Sequence, residues 1–150
     1  LTLDPDPRRD ALRLLASREH SRHELGLKLR ARGYDAGQVE AVLDDLGRSD
    51  LLSDARMAEA YVAERVRKGF GPVRVRHELR RRGVSDALID SHLERGADEW
   101  LERLMVVHDK KFGAGRATEA KELARRGRFL EQRGFPLDLI ARFLRGDDEF

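Results

Sequence analysis

The sequence contains no cysteine, which excludes disulfides, thiol chemistry and zinc–thiolate sites. It has no run of about 18 apolar residues, and Leu1–Pro7 is acidic and proline-bearing. Neither a transmembrane span nor a signal peptide is expected, and a cytoplasmic location follows from that reading. Leu1 stands where a start methionine would be, so native residues are expected to precede it. Apolar residues are in short supply: 40% of the 150 residues are hydrophobic and 39% are charged, against roughly 25% charged in an ordinary domain. That balance disfavours one sphere with a large core and favours several small units with thin cores.

Signatures of catalysis are missing too. Gly69-Phe70-Gly71-Pro72 lacks the glycine-lysine-serine/threonine ending of a phosphate loop. His23-Glu24 and His77-Glu78 lack a second histidine four residues on, where Leu27 and Arg81 stand, so neither is a zinc-protease helix. No carboxylate cluster is apolar enough in its surroundings to suggest a tuned acid or base. No enzyme activity, metal or cofactor is expected. His20 and His23 read as surface or capping residues, and His92 and His108 as residues at the edge of a core.

What the chain does have is a threefold repeat. Leu29 and Gly33, Leu79 and Gly83, and Leu130 and Gly134 are one motif, a leucine four residues before a glycine. Val39, Ile89 and Ile140 follow ten residues after each leucine, and Leu43, Leu93 and Leu144 follow fourteen after it. Self-similarity at steps of 50 and 51 residues marks a modular array, which presents a long surface rather than a pocket.

The units read as helical, with apolar residues three and four apart, as in Met57, Tyr61, Val62 and Val66. Alternation of the strand type is confined to Val73 and Val75. The prediction is an all-α fold of three tandem three-helix repeats, forming an elongated, curved array with repeats at 8–51, 52–96 and 97–146. Helices are predicted over about 8–16, 22–32, 36–47, 54–68, 97–112 and 117–133, with others starting at Pro72, after Ser85 and at Pro136. Ser21 and Glu24 form a capping box, and Gly33 supplies a left-handed helix end. The repeated leucine and aliphatic positions are the expected core.

Formal charge swings with the same period. Residues 8–33 carry net +5, 35–64 net −6, 65–82 net +7, 84–102 net −5 and 110–134 net +5, and the last five residues hold three acids. Eighteen residues at net +7 point to an anionic partner, either nucleic acid or an acidic protein surface. The leucine–glycine spacing also fits a helix-turn-helix. Its recognition helix would carry Asp35, Glu40, Asp44 and Asp45, or Asp86, Asp90 and Glu94, which phosphate repels, so reading of a DNA operator is disfavoured.

The stretch Ser17-Arg18-Glu19-His20-Ser21-Arg22-His23-Glu24-Leu25, with Lys28, Leu29 and Gly33, resembles the opening signature of the RecX family of RecA regulators. So does Leu52-Ser53-Asp54-Ala55-Arg56-Met57-Ala58-Glu59-Ala60-Tyr61-Val62, followed by Arg65, Gly69 to Pro72, Arg74, Glu78, Leu79 and Gly83. The resemblance implies a negative regulator that binds the RecA–single-stranded-DNA filament in its helical groove. Such a protein inhibits recombinase, ATPase and co-protease activities and so controls recombination and the SOS response. The alternative is a modular DNA-binding protein, for single or double strands, acting independently of RecA. A monomer without membrane association is expected. On electrostatic grounds the contact residues are Arg22, Lys28, Arg30, Arg32, Lys68, Arg74, Arg76, Arg80, Arg81, Arg82, Arg125, Arg126 and Arg128.

Overall fold

The computed structural model describes residues 4–146, and of Ala97 the backbone alone. The acids Asp147, Asp148 and Glu149 of the expected acidic end therefore lie outside the described residues. The described chain is nine α-helices without a strand: α1 (Pro7–Ser17), α2 (Arg22–Ala31), α3 (Ala36–Arg48), α4 (Asp54–Arg67), α5 (Pro72–Arg81), α6 (Asp86–Leu93), α7 (Ala97–Phe112), α8 (Ala120–Gln132) and α9 (Leu137–Arg145).

Local chemistry sets the helix starts. Asp6 accepts hydrogen bonds from the Arg8 and Arg9 N–H groups, and Pro7 begins α1, where its missing N–H costs nothing. Ser21 and Glu24 close a complete capping box on α2. Asp35 and Gln38 close another on α3, one the sequence reading passed over because aspartate replaces the usual serine. Ser53 Oγ accepts from the Arg56 N–H at 3.1 Å at the start of α4.

The chain compacts into two units: residues up to Tyr61 with Leu79–His92, and Val62–Glu78 with the chain from Leu93 onward. In the first, α1, α2 and α3 pack on one another around Ala11, Leu25, Leu29, Val39, Leu43, Leu46 and Leu52. Gly26 lets α3 come close to α2, because a methyl there would sit 3.3 Å from the Leu43 side chain. In the second, α7, α8 and α9 pack together, with Trp100, Leu104, Leu130, Phe135, Leu139 and Ile140 buried. All repeated core positions are buried except Leu144, which is half-exposed beside Gly127.

Each unit contains one clasp between a glycine turn and a helix start, and this is where the repeated glycines act. In the first unit Gly83, at φ +80°, lies so close to α2 that a Cβ there would fall 2.3 Å from the His23 Cβ. The Ser21 hydroxyl donates to the Arg82 carbonyl in the same clasp, and Arg82 reaches Glu24 at 2.8 Å. In the second unit the Gly71 N–H donates to the Arg133 carbonyl at 2.7 Å and the Val73 N–H to the Gly134 carbonyl at 2.9 Å. The end of α8 thus satisfies the unpaired donors at the start of α5. Gly134, at φ +98°, would place a Cβ 2.3 Å from the Arg74 Cβ. Gly33 has the same φ of +98°, yet nothing lies within 4 Å of its missing side chain.

Of the two buried histidines, His20 departs from the sequence reading and His108 lies in a core much as expected. His20 is fully buried: its Nε2 lies 2.8 Å from the Lys28 Nζ and its Nδ1 3.0 Å from the Arg18 carbonyl. An ammonium can only donate, so Nε2 accepts and Nδ1–H donates, which makes the ring neutral. Burial pushes the His20 pKa below its ordinary 6.5, more than the Arg18 carbonyl raises it. His108, also buried, bonds Asp109 at 2.8 Å and packs on Phe112 and Phe143.

Two outcomes are expected. Gly33→Ala should cost about 1–2 kcal/mol, the penalty for a left-handed residue. Gly83→Ala and Gly134→Ala should each cost about 2–5 kcal/mol, because overpacking adds to that penalty. Urea unfolding of the three variants checks this, and equal losses would contradict the clasps. The second outcome concerns pH. Because the His20 pKa is lowered on folding, the unfolded chain binds its proton more readily. The His20 contribution is then complete above about pH 6.5 and lost as pH falls below it, at up to about 1.4 kcal/mol per unit. Unfolding curves from pH 7.5 to 5.5 should show that loss, and His20→Asn should flatten it.

Candidate functional site

The fold uses most of the predicted contact residues internally. On α2, Arg22 bridges Glu40 at 2.5 Å and Asp44 at 2.7 Å on α3, and these contacts raise its already high pKa, the Asp44 hydrogen bond most. Lys28 holds His20, and burial lowers its pKa more than the nearby charge of Arg18. Arg32 lies 3.6 Å from Asp10. Asp10 is in turn held below the usual carboxylate range, chiefly by the hydrogen bond from the Tyr34 hydroxyl.

The net +7 segment is treated the same way. Lys68 pairs with Glu64 at 3.0 Å. Arg74 donates to the Gln132 carbonyl at 3.1 Å and lies over the Phe70 ring. Arg76 is half-buried. Arg80 pairs with Asp86 at 2.7 Å, which raises its pKa. Arg82 meets Glu24 and the Tyr61 ring. Burial alone would push the Glu24 carboxyl up, but hydrogen bonds from Arg18 and the Ser21 N–H hold it low. On α8, Arg125 and Arg126 both pair with Glu122, at 3.2 and 3.0 Å, and lower its pKa, Arg126 most. Arg126 also donates to the Gly115 carbonyl at 2.8 Å.

Three of the acids that argued against an operator-reading helix, Glu40, Asp44 and Asp86, thus serve as partners of the basic second helices. Among the predicted residues, Arg30, Arg81 and Arg128 are exposed and have no hydrogen-bonding, ionic or aromatic partner among the described residues.

The structure gathers a second set of cations that the sequence reading did not single out, Lys68 apart. In the second unit Arg67, Lys68, Arg103, Lys110, Lys111 and Arg133 line a groove of about 330 Å³ with Val66, Val106, Val107, Gly69 and Phe129. No aspartate or glutamate lines it. The available signal was on α7, where Arg103 and Lys110 stand two turns apart with Val106 and Val107 between them. Arg103 lies outside every basic block counted along the chain, so the charge count passed over it. A groove of about 410 Å³ in the first unit has mixed charge, with Arg22, Arg30, Glu40 and Asp54 around Leu27 and Leu43. No cluster of histidine, aspartate or glutamate among the described residues could hold a metal. No helix among them is long and apolar enough to cross a membrane.

Comparison with known proteins accords with this architecture. Residues 8–46, 53–93 and 97–144 match the first, second and third three-helix domains of RecX. The regulatory protein RecX of Halorhodospira halophila is 45% identical over 139 residues, covering 93% of this chain and 86% of that protein. Its counterpart in Pseudomonas syringae pv. tomato is 46% identical over 139 residues, covering 93% and 90%. The crystal structure of RecX from Lactobacillus salivarius has the same fold, with a TM-score of 0.80 at 20% identity over 95% of this chain and 94% of that one. With all three domains matched in order and relatives of such identity along nearly its whole length, the chain belongs to the RecX family of regulatory proteins.

Proposed function

We propose that the protein is a negative regulator of RecA. In this reading it binds the RecA–single-stranded-DNA filament in its helical groove and inhibits recombinase, ATPase and co-protease activities. The observation that carries the reading is the ordered match of three RecX domains to relatives named regulatory protein RecX. The protein acts by binding, as a cytoplasmic monomer, with no chemistry of its own. A tandem array suits a repeating partner, because each seated unit raises the effective concentration of the next.

Within the basic second helices, Arg30, Arg81 and Arg128 are the residues best placed for the partner. They are exposed and unpaired among the described residues, so meeting an anionic surface breaks no contact described there. Arg22, Lys28, Arg32 and Arg80 are committed to Glu40, His20, Asp10 and Asp86 and support those helices. DNA binding without RecA is the second reading, favoured by the cation-lined groove of the second unit.

The deciding measurement is single-stranded-DNA-dependent ATP hydrolysis by the cognate RecA, with the protein titrated in below stoichiometry. Binding to bare single-stranded DNA is measured in parallel at the same salt. Inhibition with weak binding to bare DNA is expected, whereas tight DNA binding without inhibition would favour the second reading. The combined variant R30E/R81E/R128E should keep its helical signal and melting temperature while needing about ten times more protein for half-inhibition, as loss of charge complementarity implies. Unchanged inhibition by the folded variant would remove these residues from the interface.

A further inference from the structure

The groove in the second unit is built from the end of α4, one face of α7 and the end of α8. Arg67 and Lys68 stand on one side, Arg103, Lys110 and Lys111 on α7, and Arg133 just beyond α8. Six cations around one space repel one another, and no carboxylate lines the space itself. Lys68 has Glu64, while Lys111 and Arg133 lie over the Phe129 ring at 5.6 and 5.3 Å. Arg103 and Lys110 are exposed and without a partner among the described residues, and Arg67 is exposed with only the charge of Glu64 acting on it. That is the opposite of the basic second helices, where most cations are neutralised within the fold.

The space between the cations is apolar. Val106 is 63% exposed and its neighbour Met105 43%, with Val66, Val107 and Phe129 beside Val106. Gly69 keeps the groove open toward α7, since a Cβ there would lie 3.2 Å from the Val107 side chain. Along α7, Arg103 and Lys110 are about 10 Å apart, with the valines midway. The pattern is cation, apolar surface, cation.

We propose that this groove binds a single-stranded polynucleotide. Its phosphates lie on Arg67, Arg103 and Lys110, and a base rests on the floor formed by Val106, Val107 and Phe129. A single strand carries a charge at every nucleotide and exposes flat apolar bases between its charges, which the groove complements in both respects. A duplex keeps its bases stacked inside and offers nothing to the floor. The inference deepens the regulatory reading by placing the strand contact away from the basic second helices. It is tested without recombinase, so its failure leaves that reading standing.

The test uses the full chain and a fluorescein-labelled thymidine oligomer about 15 nucleotides long, read by fluorescence anisotropy. Three phosphate contacts predict a log–log salt slope of about −2 for the wild type. R103E/K110E, which removes no internal contact, should weaken binding at least about tenfold and flatten that slope. Val106→Ser should weaken binding of the thymidine oligomer and leave an abasic strand of equal length unaffected. An R103E/K110E variant that is folded and binds as well as wild type would overturn the site. Equal binding of the corresponding duplex would overturn the single-strand assignment, and stronger competition by polyglutamate than by unlabelled thymidine oligomer would reassign the groove to an acidic protein. RecA inhibition by the same variant is recorded separately. Persistent inhibition with lost oligomer binding would assign strand contact to this groove and recombinase contact elsewhere.

Discussion

The contact on which the rest depends is the approach of a glycine turn to the start of a helix. At Gly83 and Gly134 there is no room for a β-carbon, so backbone meets the neighbouring helix directly. The two clasps are closed by different chemistry. One uses the Ser21 hydroxyl on the Arg82 carbonyl, and the other uses main-chain N–H groups of Gly71 and Val73 on the carbonyls of Arg133 and Gly134. Each joins the end of one repeat's second helix to the start of the preceding repeat's. That is why the middle repeat contributes to both compact units: the start of α5 is held by the turn after α8, while the turn after α5 is held on α2.

With the helices so held, the alternating charge acquires a structural role. Basic second helices face acidic partners: Arg22 with Glu40 and Asp44, Arg80 with Asp86, Arg82 with Glu24. Individually such half-exposed pairs contribute little to stability. Together they relieve a repulsion that the net +7 segment would otherwise carry. Phe70 contributes in the same sense, with the guanidinium groups of Arg65, Arg74 and Arg133 at 3.7, 4.4 and 4.9 Å from its ring centre. Some cations are left without partners among the described residues, and two of them, Arg103 and Lys110, share one groove.

This division suits a regulator that acts by occupying a surface. In the proposed reading, paired cations hold neighbouring helices together, and unpaired ones remain for a polyanionic or acidic partner. An array with thin cores gains affinity from several modest contacts rather than from one deep site. The absence of a tuned acid–base pair in the sequence reading agrees with relatives that are named as regulatory proteins.

The helices and the family were legible along the chain. The capping box at Ser21 and Glu24, the glycine stops and the leucines at ten- and fourteen-residue offsets act within one or two helices, and the eye can follow such short-range rules. Helix ends came within a few residues, α8 starting at Ala120 rather than 117, because Glu119 offers no side-chain cap. Tertiary structure decided the rest. His20 reads as a polar surface residue until Lys28 and the Arg18 carbonyl close over it. Six of the predicted contact arginines read as free until acids from 3 to 58 residues away meet them. The groove joins Arg67, Arg103 and Arg133, which lie on three helices or their ends, and no count along the chain brings them together. Charge in a sequence is a sum, whereas charge at a surface is what remains after folding has paired the rest.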